Sequence, residues 1–293
     1  MRALFILVLA LAAFGQQSGK PPVNVEEPEP AVDFVCPMDP DVHSPTPGKC
    51  PRCGMTLVPG IPDPIEYDLH LRTKPAAPAA GKPVVLEFEV SDPRDNKPVT
   101  DFLIVHEKLY HLFLISQDLQ WFAHEHPVRG KDSVFRYTAT FPKPGMYRTL
   151  SDFYPKGGTP QLLTKTVIVP GAPLQPMGTK LTADLSPKTS ENLTVSLKME
   201  PEQPIAGTKT LMFFHLDPGE GLEKYIGAWG HMLAVSEDLI DTIHSHPFLA
   251  NGGPQVQFNM IFPRPGVYRV WVQFQRLGVV NTVKFDVPVN ELK

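Results

Sequence analysis

From residue 61 to residue 290 the chain is written in short apolar runs with a period of two. Leu86, Phe88 and Val90 alternate with Glu87 and Glu89, and Val283, Phe285, Val287 and Val289 alternate with more polar neighbours. Successive side chains of an extended chain point to opposite faces, so each run predicts a strand with one buried face. The 34 prolines and 21 glycines fall between these runs as punctuation, which favours many short strands over long helices. The pattern predicts an all-β fold.

The runs occur twice in the same order. Pro75-Ala-Ala-Pro-Ala-Ala-Gly81 returns as Pro201-Glu-Gln-Pro-Ile-Ala-Gly207, each leading to a strand that ends at Asp92-Pro93 or Asp217-Pro218. His111-Leu-Phe-Leu-Ile-Ser-Gln-Asp-Leu119 returns as His231-Met-Leu-Ala-Val-Ser-Glu-Asp-Leu239, and His124-Glu-His126-Pro127 as His244-Ser-His246-Pro247. Phe141-Pro-Lys-Pro-Gly-Met-Tyr-Arg148 returns as Phe262-Pro-Arg-Pro-Gly-Val-Tyr-Arg269. Residues 61–170 and 178–290 are therefore read as two copies of one domain, joined by the proline-rich segment 170–176. Roughly seven strand runs per copy make each a β-sandwich. The Pro-Gly-x-Tyr steps at Gly145–Tyr147 and Gly266–Tyr268 match the corner that introduces a late strand in immunoglobulin-like domains.

Within each copy the histidines stand out. A tight reversal at Ser116–Leu119 would place His111 directly across from His124, and Ser236–Leu239 would do the same for His231 and His244. Opposed Cβ atoms lie about 5 Å apart, and His126 or His246, two residues on, shares that face at a diagonal reach of about 7 Å. Three neutral imidazoles on one face can ligate Cu(II), Zn(II) or Ni(II). The structural alternative is that His111, His124 and their counterparts hydrogen-bond to loops. Neither copy contains a cysteine, so a blue-copper centre is excluded there. His70, His106 and His215 lack matches in the other copy and read as surface or edge residues. Met146, Met232 and Met260 read as core fillers, with Met232 placed to add a soft ligand beside His231. Trp121, Trp229 and Trp271 read as core or interface aromatics.

All three cysteines lie in one short stretch, Cys36-Pro-Met-Asp-Pro-Asp-Val-His43 running on to Pro47-Gly-Lys-Cys50-Pro-Arg-Cys53-Gly-Met55. A C-x-x-C turn lets two sulfurs face one ion, at about 2.3 Å if that ion is zinc, and Cys36 supplies a third donor. Met38, His43 and Met55 are further candidate ligands. A Cys50–Cys53 disulfide and a thioredoxin-like redox pair are the alternatives, the latter wanting a βαβ context that the flanking prolines and glycines do not offer.

At these residues the chain resembles the small heavy-metal-binding domain found on periplasmic efflux adaptors and some copper-transporting P-type ATPases. That family's motif, C-P-M-H-P, a spacer, then P-G-x-C-P-x-C-G-M-x-L, is matched from Phe34 to Pro59, except that Asp39 stands where the family has histidine. Aspartate suits zinc better than monovalent copper or silver, so the choice between copper and zinc stays open, and His43 is placed to substitute. The doubled region resembles the immunoglobulin-like tandem segments that accompany this domain in other exported bacterial proteins. It lacks the long helical hairpins of an efflux adaptor, so no pumping role is implied.

Upstream, Met1-Arg followed by an apolar run to Gly15 has the layout of a secretory signal peptide, and residues 16–33 read as a flexible acidic tether. The remainder, 34–60, is the metal knuckle. A formal charge of −4 and a pI near 6.2 exclude a nucleic-acid binder and offer no basic patch to anionic membranes. The expected product is a periplasmic or secreted transition-metal-binding protein whose partners are the ion and an envelope metal-efflux component. An envelope scaffold with one structural zinc is the alternative. Catalysis is not expected, because Glu125 is replaced by Ser245 and points to the opposite face.

Overall fold

A computed structural model describes residues 33–36, 42–60, 65–156, 158–171 and 179–292. The expected signal peptide, the tether up to residue 32, Met38, Asp39 and most of the joint between the copies lie outside the described residues. The described part is all-β, with no helix among the described residues.

The knuckle comes first, as a three-stranded antiparallel sheet of β1 (Asp33–Val35), β2 (His43–Ser44) and β3 (Val58–Gly60) in the order β2-β1-β3. Its core is small: Cys36, Cys50 and Leu57 are buried, with Phe34, Val42 and Cys53 packed against them.

The first sandwich comprises β4 (Asp68–Lys74), β5 (Pro83–Ser91), β6 (Tyr110–Ser116), β7 (Phe122–Glu125), β8 (Val128–Arg129), β9 (Phe135–Thr140), β10 (Gly145–Phe153) and β11 (Gln161–Val169). One sheet runs β4-β5-β9-β8 and the other β11-β10-β6-β7. Leu86, Phe88 and Val90 point inward from β5 and meet Leu112 and Leu114 from β6, as the alternation predicts. Fully burying an apolar side chain of this size stabilises by about 1.5–3 kcal/mol.

The second sandwich repeats the plan with β12 (Lys188–Thr189), β13 (Thr194–Glu200), β14 (Lys209–Asp217), β15 (Leu222–Glu223), β16 (His231–Ser236), β17 (Thr242–Ser245), β18 (Gln255–Ile261), β19 (Gly266–Arg276) and β20 (Val279–Val289). Its sheets run β12-β13-β14-β18 and β15-β19-β16-β17, with β20 also pairing β19. Both Pro-Gly-x-Tyr steps form the expected corner. Gly145 and Gly266 take φ of 143° and 139°, which favours glycine, and Tyr147 and Tyr268 donate their hydroxyls to the carbonyls of Lys143 (2.8 Å) and Arg264 (3.0 Å).

β6 and β16 depart furthest from the half-buried pattern. Each is buried at every position, so both of its faces are covered. Tyr110, Leu112 and Leu114 fill the first sandwich, while Phe113 and Ile115 face outward to Leu233 and Val235 of β16 and Trp271 of β19. The two sandwiches thus pack sheet to sheet through a shared apolar cluster. Arg269 ties this interface further: it is paired with Asp286 through two hydrogen bonds (2.8 and 2.7 Å) and donates to the Leu119 carbonyl of the other sandwich (2.5 Å).

Candidate metal centres

In the knuckle, the C-x-x-C turn is built by its own backbone. Gly54 N–H donates to the Cys50 carbonyl (2.9 Å), Cys50 N–H to the Met55 carbonyl (2.8 Å), and Gly54 takes φ of 76° to reverse the chain. Cys53 N–H donates to Cys50 Sγ (3.4 Å). Cys36, at the end of β1, brings its Sγ within 3.4 Å of Cys53 Sγ, and the ligand atoms of all three cysteines lie within 4.8 Å of one another. Tetrahedral zinc thiolates at about 2.3 Å would set sulfurs about 3.8 Å apart, so this trio fits an ion. No disulfide joins the three cysteines, and the knuckle lies in a β-sheet, not in the βαβ unit of a redox fold. His43 lies opposite Val35 and stays outside the converging set. Met55 joins the turn through its main chain, and its side chain is exposed.

The histidine hairpins differ from expectation in register. β6 pairs Phe113 with His124 and Leu112 with Glu125, and β16 pairs Leu233 with His244 and Met232 with Ser245. His111 is therefore not across from His124, nor His231 from His244; each pairing slips by two residues. The reason is the turn. Ser116 N–H bonds to the Trp121 carbonyl and Ser236 N–H to the Asp241 carbonyl (both 3.0 Å), so the reversal is longer than Ser116–Leu119 or Ser236–Leu239. Leu119 and Leu239 occupy its left-handed positions (φ 57° and 61°), and the Ser116 and Ser236 hydroxyls bond Asp118 and Asp238. A slip of two preserves the face, so all six imidazoles still gather.

They gather across the copies, which the sequence did not disclose. His111 Nδ1 lies 3.2 Å from His124 Nε2 and 3.3 Å from His126 Nε2, and His231 Nδ1 lies 3.1 Å from His246 Nε2. The ring of His231 is 5.2 Å from that of His124 and 5.9 Å from that of His111. Ligand atoms of His111, His124 and His231 lie mutually within 4.8 Å, and so do those of His231, His244 and His246. Met232, by contrast, points into the second core, away from His231, and adds no sulfur.

The outer nitrogens are committed to protein partners. His111 Nε2–H donates to the Val105 carbonyl (3.0 Å) and His231 Nε2–H to the Tyr225 carbonyl (2.8 Å). His124 Nδ1–H reaches across the interface to Gln273 Oε1 (2.8 Å), and His244 Nδ1–H reaches back to Asp152 Oδ2 (2.5 Å). Asp152 and Gln273 hold matching positions, opposite His111 and His231 in the ladders of β10 and β19. Each stands five residues past its corner tyrosine, a signal visible in the sequence but masked because the two residues differ.

His106 was also missed. It sits at φ 46° in the turn before β6, with its ring centroid 3.7 Å from that of His246, so it belongs to the cluster and not to the surface. Ile226 occupies the matching turn of the second copy, which hid the position from comparison of the repeats. His70 and His215 lie exposed on β4 and β14.

Burial holds six of the clustered imidazoles neutral. It lowers His106 and His111 to about 4 and His126 to about 3, and pushes His124, His231 and His246 well below 6.5, with neighbouring histidines adding to the effect. Neutral imidazole is the form that binds metal. Glu125 turns to Tyr137.

Fold and site together define a tandem immunoglobulin-like β-sandwich protein preceded by a cysteine knuckle. The chain belongs to the family described as Domain of unknown function (DUF8832), matched twice, at residues 65–171 and 188–291. Residues 34–59 match the Heavy metal binding domain. No curated protein matches the sequence. Among solved structures, the adhesin InvE of Yersinia pseudotuberculosis aligns at 12% identity and TM-score 0.25, over 76% of this chain and 60% of that one. The Escherichia coli adhesin FdeC aligns at 14% and 0.26, over 82% and 68%. Fibronectin(III)-like modules of Clostridium thermocellum CbhA align at 9% and 0.21, over 76% and 95%. No helix among the described residues is long and apolar enough to cross a membrane.

Proposed function

We propose that this is an exported binding protein that captures or buffers a transition metal, copper or zinc, with Cys36, Cys50 and Cys53 as the sequestering ligands. The observation that carries the reading is the convergence of three sulfurs from two separate segments around one point. Soft thiolates select copper(I), zinc and similar ions over magnesium or calcium. Export is supported by the charge-then-apolar pattern of Met1–Gly15, and the partner class that fits is an envelope metal-efflux component. The role is binding, without catalysis. Elemental analysis of the purified protein, before and after competition with a soluble chelator, tests it. Exchangeable copper or zinc that disappears in the Cys50→Ser/Cys53→Ser variant supports capture; one ion that never exchanges supports a structural zinc.

A further inference from the structure

We infer that the histidines of the two sandwiches form a single interdomain centre that holds one divalent transition-metal ion, with His231 as the ligand common to both sides. This centre is separate from the cysteine knuckle.

The hydrogen-bond network decides which nitrogens face inward. A carbonyl only accepts, so the Val105 and Tyr225 carbonyls fix the protons of His111 and His231 on Nε2 and leave Nδ1 as a lone pair. Gln273 Oε1 likewise holds the proton of buried His124 on Nδ1 and leaves its Nε2 as a lone pair, and Asp152 Oδ2 accepts from His244 Nδ1–H, which turns Nε2 of that ring toward the cluster. The amide nitrogen of Gln273 donates to Thr282 Oγ1 (3.0 Å), which leaves Oε1 on the His124 side. Lone pairs therefore confront each other at the 3.2 Å contact between His111 Nδ1 and His124 Nε2. Two acceptors at that distance repel unless a cation lies beside them. Ligands about 2.0–2.1 Å from a tetrahedral ion stand about 3.3 Å apart, which matches the 3.1–3.3 Å spacings within the cluster. His244 Nε2 points the same way: it is buried without a hydrogen-bond partner, on a side chain only 3% exposed.

The second nitrogen of a metal-bound histidine ordinarily bonds a carbonyl or carboxylate, and here four of the rings already do so. All-imidazole donors suit Zn(II), Cu(II) or Ni(II), not calcium or magnesium. One ion follows from His231. It belongs to both converging sets, yet its Nε2 is committed to Tyr225, so only Nδ1 remains to give. Two ions, one in each of these sets, would need that nitrogen twice.

The test uses the full chain with Cys36, Cys50 and Cys53 all changed to serine, so that only nitrogen ligands remain. Equilibrium dialysis against Zn(II) should give one ion per chain, and Cu(II) should show nitrogen coupling in its electron paramagnetic resonance spectrum. In that background His231→Ala should lower affinity at least 100-fold, and Asp152→Ala about 10–100-fold by freeing the His244 ring. If His231→Ala does not fold, His111→Gln and His244→Gln, one from each sandwich, must each weaken the same ion. No bound ion, two ions per chain, an ion retained by folded His231→Ala, or one retained unchanged by either glutamine variant would overturn the centre. Failure of the cysteine reading would appear elsewhere, as wild type and triple-serine protein binding the same number of ions.

Discussion

The cysteine knuckle and the histidine cluster gather ligands in opposite ways. Cys50 and Cys53 share one turn and Cys36 lies fourteen residues before Cys50, around a small cluster in which Cys36, Cys50 and Leu57 are buried. The histidines come from hairpins more than a hundred residues apart, and the apolar interface of Phe113, Ile115, Leu233, Val235 and Trp271 sets their positions. The difference predicts that the knuckle will need an ion to keep its order, whereas the histidine rings are placed by packing of the sandwiches.

The largest expected effect breaks the knuckle alone. In Cys50→Ser/Cys53→Ser the sulfur-bound metal should be lost entirely and residues 34–59 should lose amide protection, while the sandwiches keep their melting transition. Binding energy in such small sites is folding energy, of order 10–16 kcal/mol for zinc-finger peptides. Hydrogen exchange with mass spectrometry reads both regions in one experiment. Loss of protection throughout the chain would erase the contrast.

Next in size is the interface. Trp271 is buried there and its ring stacks on Phe122 at 5.0 Å. Trp271→Ala should cost about 3–5 kcal/mol in urea unfolding and leave the cysteine site's metal content unchanged.

Acid should act on the histidine side before it reaches the cysteine site. An unfolded histidine takes up its proton near pH 6.5, whereas His106 and His111 are lowered to about 4 and His126 to about 3. The unfolded chain therefore binds more protons across that window, so the stability these rings contribute is full above about pH 6.5. It is lost as pH falls toward 4. Urea midpoints of the sandwiches, measured from pH 8 to 4, should decline from about 6.5 downward, and a flat profile would show that these rings are not buried. The smallest effect is Tyr147→Phe, which removes the corner bond to Lys143 and should cost about 0.5–1.5 kcal/mol in the first sandwich.

The same contrast explains what the sequence disclosed. Local patterns were legible: the C-x-x-C turn, the alternation at Leu86–Val90, the Pro-Gly-x-Tyr corners and the face shared by each trio of histidines. Features that depend on the turn geometry or on the second sandwich were not. Period two assigns a face but not a register, and the longer reversal through Trp121 moved His124 from His111 to Phe113. The run Leu112–Ile115 is apolar throughout, a sign of burial on both faces that alternation cannot interpret. Comparison of the repeats found only what both copies share, so His106 facing Ile226, and Asp152 facing Gln273, went unseen.

The burial of β6 and β16 on both faces has a mechanical consequence. Tandem modules joined by a proline-rich segment are expected to reorient freely, like beads on a string, unless a large apolar contact locks them. Here separation would bring Phe113, Leu233 and Trp271 into water together. The pair should therefore tumble as one rigid particle.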